Sequence, residues 1–418
     1  MSVTRIGSVA AARYGALGLP LAFVALPLYV MLPNHYATQF GVPLAALGLL
    51  LLAARLFDAL VDPWIGRLAD AALGRSSRRA WWLALGASVA LLLGFVLLFF
   101  PQVRGTDALL LWCGAALLLT YLGYSVVSVI HQAWGARLGG DELQRARVVS
   151  WREGLALVGV LLASVLPSLA GLAFTSASLI VLTLIGLWLL RLGPATQAAT
   201  LAAPPISLAL PFRSVAFRRL LAVYLCNGIA SAVPATLVLF FVRDRLQLPQ
   251  DEALFLGSYF AAAALSIALW LRCVQALGLA RSWLLAMGLA VLSFGWALAL
   301  GSGDRLGFLG VCIASGVALG ADLAVPGAML AGVIQTAGHE RRAEGAYFGW
   351  WNFATKLNLA LAAGLALPVL QWLGYAPGEQ DATALSALSL VYCALPCALK
   401  LLAAGLLYGL LIRNETPR

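Results

Sequence analysis

Leu52-Ala-Ala-Arg55-Leu-Phe-Asp58-Ala-Leu-Val-Asp62-Pro63-Trp-Ile-Gly66-Arg-Leu-Ala-Asp70 is an apolar run that carries two carboxylates near its middle. Asp58 and Asp62 are four residues apart, so on a helix they share one face. They are also the first acidic residues in the chain. An ionised side chain at the centre of a bilayer costs about 3 kcal/mol or more, so those retained there usually handle an ion or a solute. The run points to passage of something through a membrane.

The rest of the chain supplies the membrane. Its 418 residues are 62% hydrophobic and 11% charged, with a mean hydropathy of +0.93. That composition belongs to a polytopic membrane protein and excludes a soluble globular one. Arg5 and Arg13 precede a long apolar run without a small-residue cleavage site, which reads as a retained first helix rather than a signal peptide. The net charge of +10 resides in arginines clustered in short loops. It is a topology signal, and no nucleic-acid partner is expected. The six cysteines fall inside apolar segments, and Cys393 and Cys397 have nothing beside them to complete a metal site. No cofactor is expected.

Apolar runs long enough to span a bilayer number twelve, at about 10–33, 44–69, 80–101, 107–136, 148–171, 173–194, 217–241, 253–275, 281–301, 306–335, 343–373 and 382–412. The fifth and sixth are separated only by Leu166-Pro167-Ser-Leu-Ala-Gly171. Arg75, Arg78 and Arg79 follow the second run, Arg137, Arg145 and Arg147 the fourth, Arg213, Arg218 and Arg219 the sixth, and Arg341 and Arg342 the tenth. The alternate loops 34–43 and 375–383 have no Lys or Arg. Both termini are therefore expected in the cytoplasm. The stretch 195–216, with Pro204, Pro205 and Pro211, is read as a central cytoplasmic loop between two six-helix bundles, 1–194 and 217–418. Six plus six is the layout of repeat-built secondary transporters. No Walker-type glycine-rich loop suggests an ATP-driven machine.

Lysine occurs twice, and Lys356 lies deep in the eleventh run, in Trp350-Trp351-Asn352-Phe353-Ala-Thr355-Lys356. At 1.5 Å per residue, Asp58 falls about 22 Å from its outer end and Lys356 about 20 Å from its inner end. Both are then near the midplane, where a lone ion is far costlier than a pair. Lys356 is expected to approach Asp58 or Asp62. The carboxylates would exchange between that lysine and a bound cation or proton; the alternative is a static salt bridge pinning two helices. Arg55, one turn before Asp58, is its simplest intrahelical partner.

Arg152 and Glu153 open the fifth run and project in different directions, so they are not expected to form one simple pair. Either one faces a cavity or both snorkel to the interface. Asp322 in the tenth run needs helix-end solvation or a partner such as an arginine. The fourth run carries a polar, aromatic stripe of Tyr121, Tyr124, Ser125, Ser128, His131, Gln132 and Trp134, suited to a hydroxyl-bearing ligand. His131 reads better as a packing histidine than as a proton relay. Gly66 and Asp70, with Arg75, Arg78 and Arg79, form a candidate cytoplasmic gate: glycine permits close helix approach and Asp70 can cap or pair.

Three separated motifs carry a resemblance. Ala54-Arg55-Leu-Phe-Asp58-Ala-Leu-Val-Asp62-Pro63-x-x-Gly66 resembles the helix-two signature of the glycoside–pentoside–hexuronide:cation symporters of the major facilitator superfamily. Gln132-Ala-Trp-Gly135-Ala136-Arg137-Leu138 through Arg145 to Arg152-Glu153-Gly154 is similar to the family's helix-four-to-five segment. Arg342-x-Glu344-Gly345-x-Tyr347 through Phe353 to Lys356 is similar to its helix eleven. The resemblance implies that Asp58 and Asp62 are cation-site carboxylates (metal ligands if the ion is Na+), with Lys356 near them. It further implies that Arg152 lines a sugar site and that Gly66 and Asp70 belong to a gating motif. The chain also departs from the family. No acid precedes Asp58, Ser128 stands where a helix-four carboxylate is found, Ile130 replaces a proline, and Ala331-Gly332 replaces a common aspartate. Fewer oxygen ligands favour H+ over Na+.

The expectation is thus an all-α membrane protein of twelve helices with the major facilitator fold, monomeric, embedded in lipid, and sited in a bacterial inner membrane. It would import a sugar, glycoside or uronide with H+ or Na+ by alternating access. Asp58, Asp62 and Lys356 would couple, Arg152, Ser128, Tyr124, Trp351 and Asn352 would contact solute, and Gly66, Asp70, Arg78 and Arg79 would gate. The alternative is a lysophospholipid or amphiphile transporter of the same fold. A scaffold or intramembrane enzyme is more remote, since no HExxH, GxSxG or Cys–His arrangement occurs.

Overall fold

In hydrocarbon each backbone N–H must find its carbonyl within the chain, so long runs of Leu, Ala, Val and Gly close into helices. The computed structural model describes residues 7–194, 196, 207–375, 378 and 381–413, and every regular element among them is helical. Ten of these helical stretches are long and apolar enough to cross a membrane. Two further helices, Leu44–Arg75 and Glu344–Trp372, have 32 and 29 residues, where about 20 suffice. Together they are the twelve expected spans.

The chain divides into two compact units, one of Met1–Arg213 with Ile334–Phe353 and one of Ser214–Val333 with Ala354–Arg418. Half of the expected central loop, 195–216, lies outside the described residues. The stretch Ile334–Phe353, read from sequence as part of the second bundle, groups with the first unit because its helix start is held there by buried charges.

The first unit begins with helices Ser8–Gly15, Gly18–Leu26 and Leu32–Phe40, the last two joined by a π turn at Pro27–Met31. Leu44–Arg75, Ser77–Phe99, Thr106–Arg137 and Glu142–Leu192 follow. Ser76 caps the helix Ser77–Phe99 by accepting from the Arg79 N–H at 3.1 Å, and Asp141 caps Glu142–Leu192 from Gln144 N–H at 2.8 Å. The 51 residues of Glu142–Leu192 would run about 76 Å if straight, more than twice a bilayer. The helix is broken at Gly171, with φ 77° and ψ 172°, four residues after Pro167. The break gives two spans, Glu142–Pro167 and Leu169–Leu192, at the division expected from sequence.

The second unit holds Val215–Phe240, Glu252–Leu277, Leu279–Ala297, Arg305–Thr336 as far as Val333, the later part of Glu344–Trp372, and a continuous helical stretch from Ala382 to Ile412. That last stretch contains π turns at Leu390–Ala394 and Tyr408–Ile412. Its core is aromatic: Phe241 stacks on Tyr392 at 4.2 Å, and Phe308 meets Phe255 edge-on at 4.9 Å. Leucines such as Leu265 and Leu306 are 81% exposed, an outward apolar surface that suits lipid.

Gly171 occupies backbone space that is essentially glycine-only, where another residue costs about 1–3 kcal/mol. Gly171→Ala is expected to lower the thermal unfolding midpoint of the purified protein. An unchanged midpoint would contradict the bend.

Candidate functional site

The helix Leu44–Arg75 inverts the usual amphipathic pattern. Ala54, Asp58, Asp62, Ile65, Ala69 and Leu73 are buried, whereas Leu52, Leu56, Leu60, Trp64 and Leu68 are exposed. The leucines face outward and the carboxylates inward. Asp58 is 5% exposed and Asp62 fully buried. The Ser125 hydroxyl, from Thr106–Arg137, donates to Asp58 Oδ1 at 2.7 Å. Arg55, one turn before Asp58, is exposed.

Tyr124 and Ser128 are half-buried on the same helix as Ser125, and Gln132 Nε2 donates to Ser128 Oγ at 3.5 Å. Trp351 is buried and Asn352 half-buried, both in the first unit; Lys356 is half-buried and belongs to the second. The sequence placed Ser125 in the polar stripe without giving it a role. Its spacing of one turn from Tyr121 and Ser128 was the available signal.

At the far end of Leu44–Arg75, Asp70 is buried. Its two oxygens accept the backbone N–H groups of Gly345 and Ala346, each at 2.7 Å. These are first-turn donors of Glu344–Trp372 that its own helix leaves unsatisfied, and a carboxylate there also meets the positive end of the helix dipole. Arg137 lies between two acids. Its Nε donates to Glu344 Oε2 at 2.9 Å, and its Nη2 is 3.6 Å from Asp70 Oδ1, all with side chains at most 2% exposed. Glu344 also accepts the Arg341 N–H.

The two backbones touch here. A Cβ on Gly66 would come within 2.2 Å of the Gly345 carbonyl oxygen, and one on Gly345 within 2.2 Å of that of Gly66. Neither position admits a side chain. The cation beside Asp70 is Arg137, not Arg78 or Arg79, whose side chains are exposed. Just before this helix, His339 Nδ1 meets the Tyr347 hydroxyl at 2.8 Å. Partial burial and the neighbouring Arg342 hold its imidazole below the ordinary histidine range.

Arg152 and Glu153, expected to diverge, form an ion pair with each other. Arg152 Nε and Nη2 both reach Glu153 Oε1, at 2.9 and 2.5 Å. Helical geometry separates their Cβ atoms, but the long arginine stem bends back, and in poorly solvated surroundings the nearest opposite charge prevails. His131 is buried against Tyr14. Its Nε2 donates to the Tyr14 carbonyl at 2.8 Å, and the Tyr14 hydroxyl donates to the His131 carbonyl at 3.0 Å.

The second unit contains a buried charge network that sequence reading only half found. Asp322 is paired with Lys400, Nζ to Oδ2 at 2.6 Å, rather than with an arginine. Asn227 bridges them, donating to Asp322 Oδ1 at 3.0 Å and accepting from Lys400 at 2.7 Å. Trp283 Nε1 donates to Asp322 Oδ1 at 2.7 Å, and Ser231 Oγ reaches Oδ2 at 3.3 Å. Four helical stretches meet in this one carboxylate.

The family model for MFS/sugar transport proteins matches residues 13–413. Over 146 residues the chain is 31% identical to the inner membrane symporter YicJ of Escherichia coli K12, covering 35% of this chain and 31% of that one. Over 167 residues it is 28% identical to YagG of the same organism, assigned as a glycoside/cation symporter, covering 40% and 35%. The alignments thus span about a third of the length of these curated relatives. A bacterial homologue of the iron transporter ferroportin, solved in an outward-facing state, superposes with a TM-score of 0.70 at 20% identity, covering 97% of this chain and 99% of that one. The E. coli fucose:proton symporter FucP gives 0.64 at 13% identity, covering 95% and 97%. At such identities the likeness to the solved structures concerns the fold.

Removing the shared cation at the Asp70–Glu344 junction strands two buried acids, a loss of about 3–5 kcal/mol. Arg137→Met is therefore expected to lower the thermal midpoint sharply, and adding Glu344→Gln should restore part of it. A double variant no more stable than Arg137→Met would refute this charge assignment.

Proposed function

We propose that this chain, which belongs to the MFS/sugar transport protein family, is a symporter carrying a small polar organic solute together with H+ or Na+ by alternating access. It is a multi-pass membrane transporter and not an enzyme. The observation that carries the coupling reading is the placement of Asp58 and Asp62, buried one turn apart on a helix whose opposite face is leucine. Such carboxylates are costly to keep ionised and gain most from a cation.

In this reading Asp58 and Asp62 take the coupling ion, and the Ser125 oxygen holds Asp58 in place. A proton needs only one carboxylate oxygen; Na+ would draw on both carboxylates and the hydroxyl. Lys356 replaces the ion as counter-charge when it leaves. Arg152, Ser128, Tyr124, Trp351 and Asn352 contact solute. Because Glu153 already neutralises Arg152, a neutral sugar or glycoside is favoured over a uronide. The Asp70–Arg137–Glu344 junction serves as the cytoplasmic gate. In this reading the arginine-rich loops favour cytoplasmic termini, and a monomer in the inner membrane suffices for the cycle.

Proteoliposome uptake tests the coupling. Asp58→Asn and Asp62→Asn should each lower gradient-driven accumulation about tenfold or more, a coupling loss of ~1.4 kcal/mol, while solute exchange persists. Separate pH and Na+ gradients identify the ion. Equal gradient-driven flux in wild type and Asp58→Asn would end the coupling reading. Lys356→Met should slow net uptake while sparing exchange, because only net uptake requires the empty carrier to return; uptake at the wild-type rate would remove Lys356 from the cycle.

A further inference from the structure

The Asp322–Lys400 pair forms part of the wall of a cavity of about 160 Å3 that lies wholly within the second unit. Phe255, Phe260 and Phe294 supply aromatic wall, with Tyr259 and Tyr392 beside them, and most of the remaining lining is apolar. The cavity shares no residue with the coupling or solute sites proposed above.

We propose that this cavity is a binding site for a compact neutral aromatic molecule bearing a hydroxyl or carbonyl group, such as a phenol or an aryl alcohol. Size sets the first limit: a cavity of about 150 Å3 holds one benzene ring. Charge sets the second. Asp322 accepts four hydrogen bonds, from Asn227, Trp283, Ser231 and Lys400, and its charge is matched by the lysine. A charged ligand would add an unmatched charge in apolar surroundings.

The polar groups of the wall set the third limit. Lys400 has three N–H donors and makes two hydrogen bonds, to Asn227 and Asp322. Tyr259 and Tyr392 add two hydroxyl-bearing side chains to the wall. A hydrocarbon offers these groups no hydrogen bond, whereas one oxygen on an aromatic ring can do so. Aromatic walls and few polar groups also favour a flat ring over a sugar, whose many hydroxyls would lack partners.

The test uses the purified full chain and a benzyl alcohol carrying a photoreactive diazirine, with labelled peptides located by mass spectrometry. Saturable labelling of peptides containing Tyr259 or Tyr392, competed by phenol, is the expected result. The Tyr259→Phe/Tyr392→Phe double variant keeps the rings and removes only the hydroxyls; it should bind about tenfold more weakly, the cost of one lost hydrogen bond. Ala235→Phe, which fills the cavity, should abolish saturable labelling while Asp58→Asn leaves it intact. Labelling that rises linearly with probe, is competed as well by a hexose as by phenol, or persists unchanged in both cavity variants overturns the proposal.

Discussion

A charge taken out of water has to bring its counter-charge with it. In apolar surroundings helices associate through close packing at small residues and through polar contacts, and the buried ions single out particular pairs of helices. Asp70 and Arg137 join the start of Glu344–Trp372 to two helices of the first unit. Asp322 and Lys400, with Asn227 and Trp283, tie four helical stretches of the second.

The two clusters reach neutrality differently. Around Arg137 two carboxylates share a single guanidinium, and the remaining negative charge is met by the partial positive charge of a helix start. Around Lys400 the balance is one to one, and neutral side chains supply the other hydrogen bonds. The first arrangement depends on how a helix end is seated. The second depends on side chains brought together from four helical stretches.

Much of this was legible from sequence, and the failures share a cause. Twelve spans follow from apolar runs, and the weakest division, at Pro167 to Gly171, is where the backbone bends. Asp58 and Asp62 stand out because the run around them is mostly apolar. Partners were harder. Arg78 and Arg79 are nearer to Asp70 along the chain than Arg137 is, yet Arg137 lies next to it in space. Lys400 is 78 residues from Asp322, and hydropathy holds no trace of that distance. Arg152 and Glu153 failed in the opposite sense: helical geometry separated neighbours that a flexible side chain reunites. Charge in lipid is visible in a sequence, but its partner is a property of the fold.

Gly66 and Gly345 carry a consequence for how the junction behaves mechanically. Side chains between two helices act as a compressible layer, since rotamers can adjust to small shifts. Here that layer is missing, and each backbone rests against the other's carbonyl. A shift of the two helices at this point falls directly on the backbones and on the hydrogen bonds of Asp70 to Gly345 and Ala346, since no side chain lies between them to take it up.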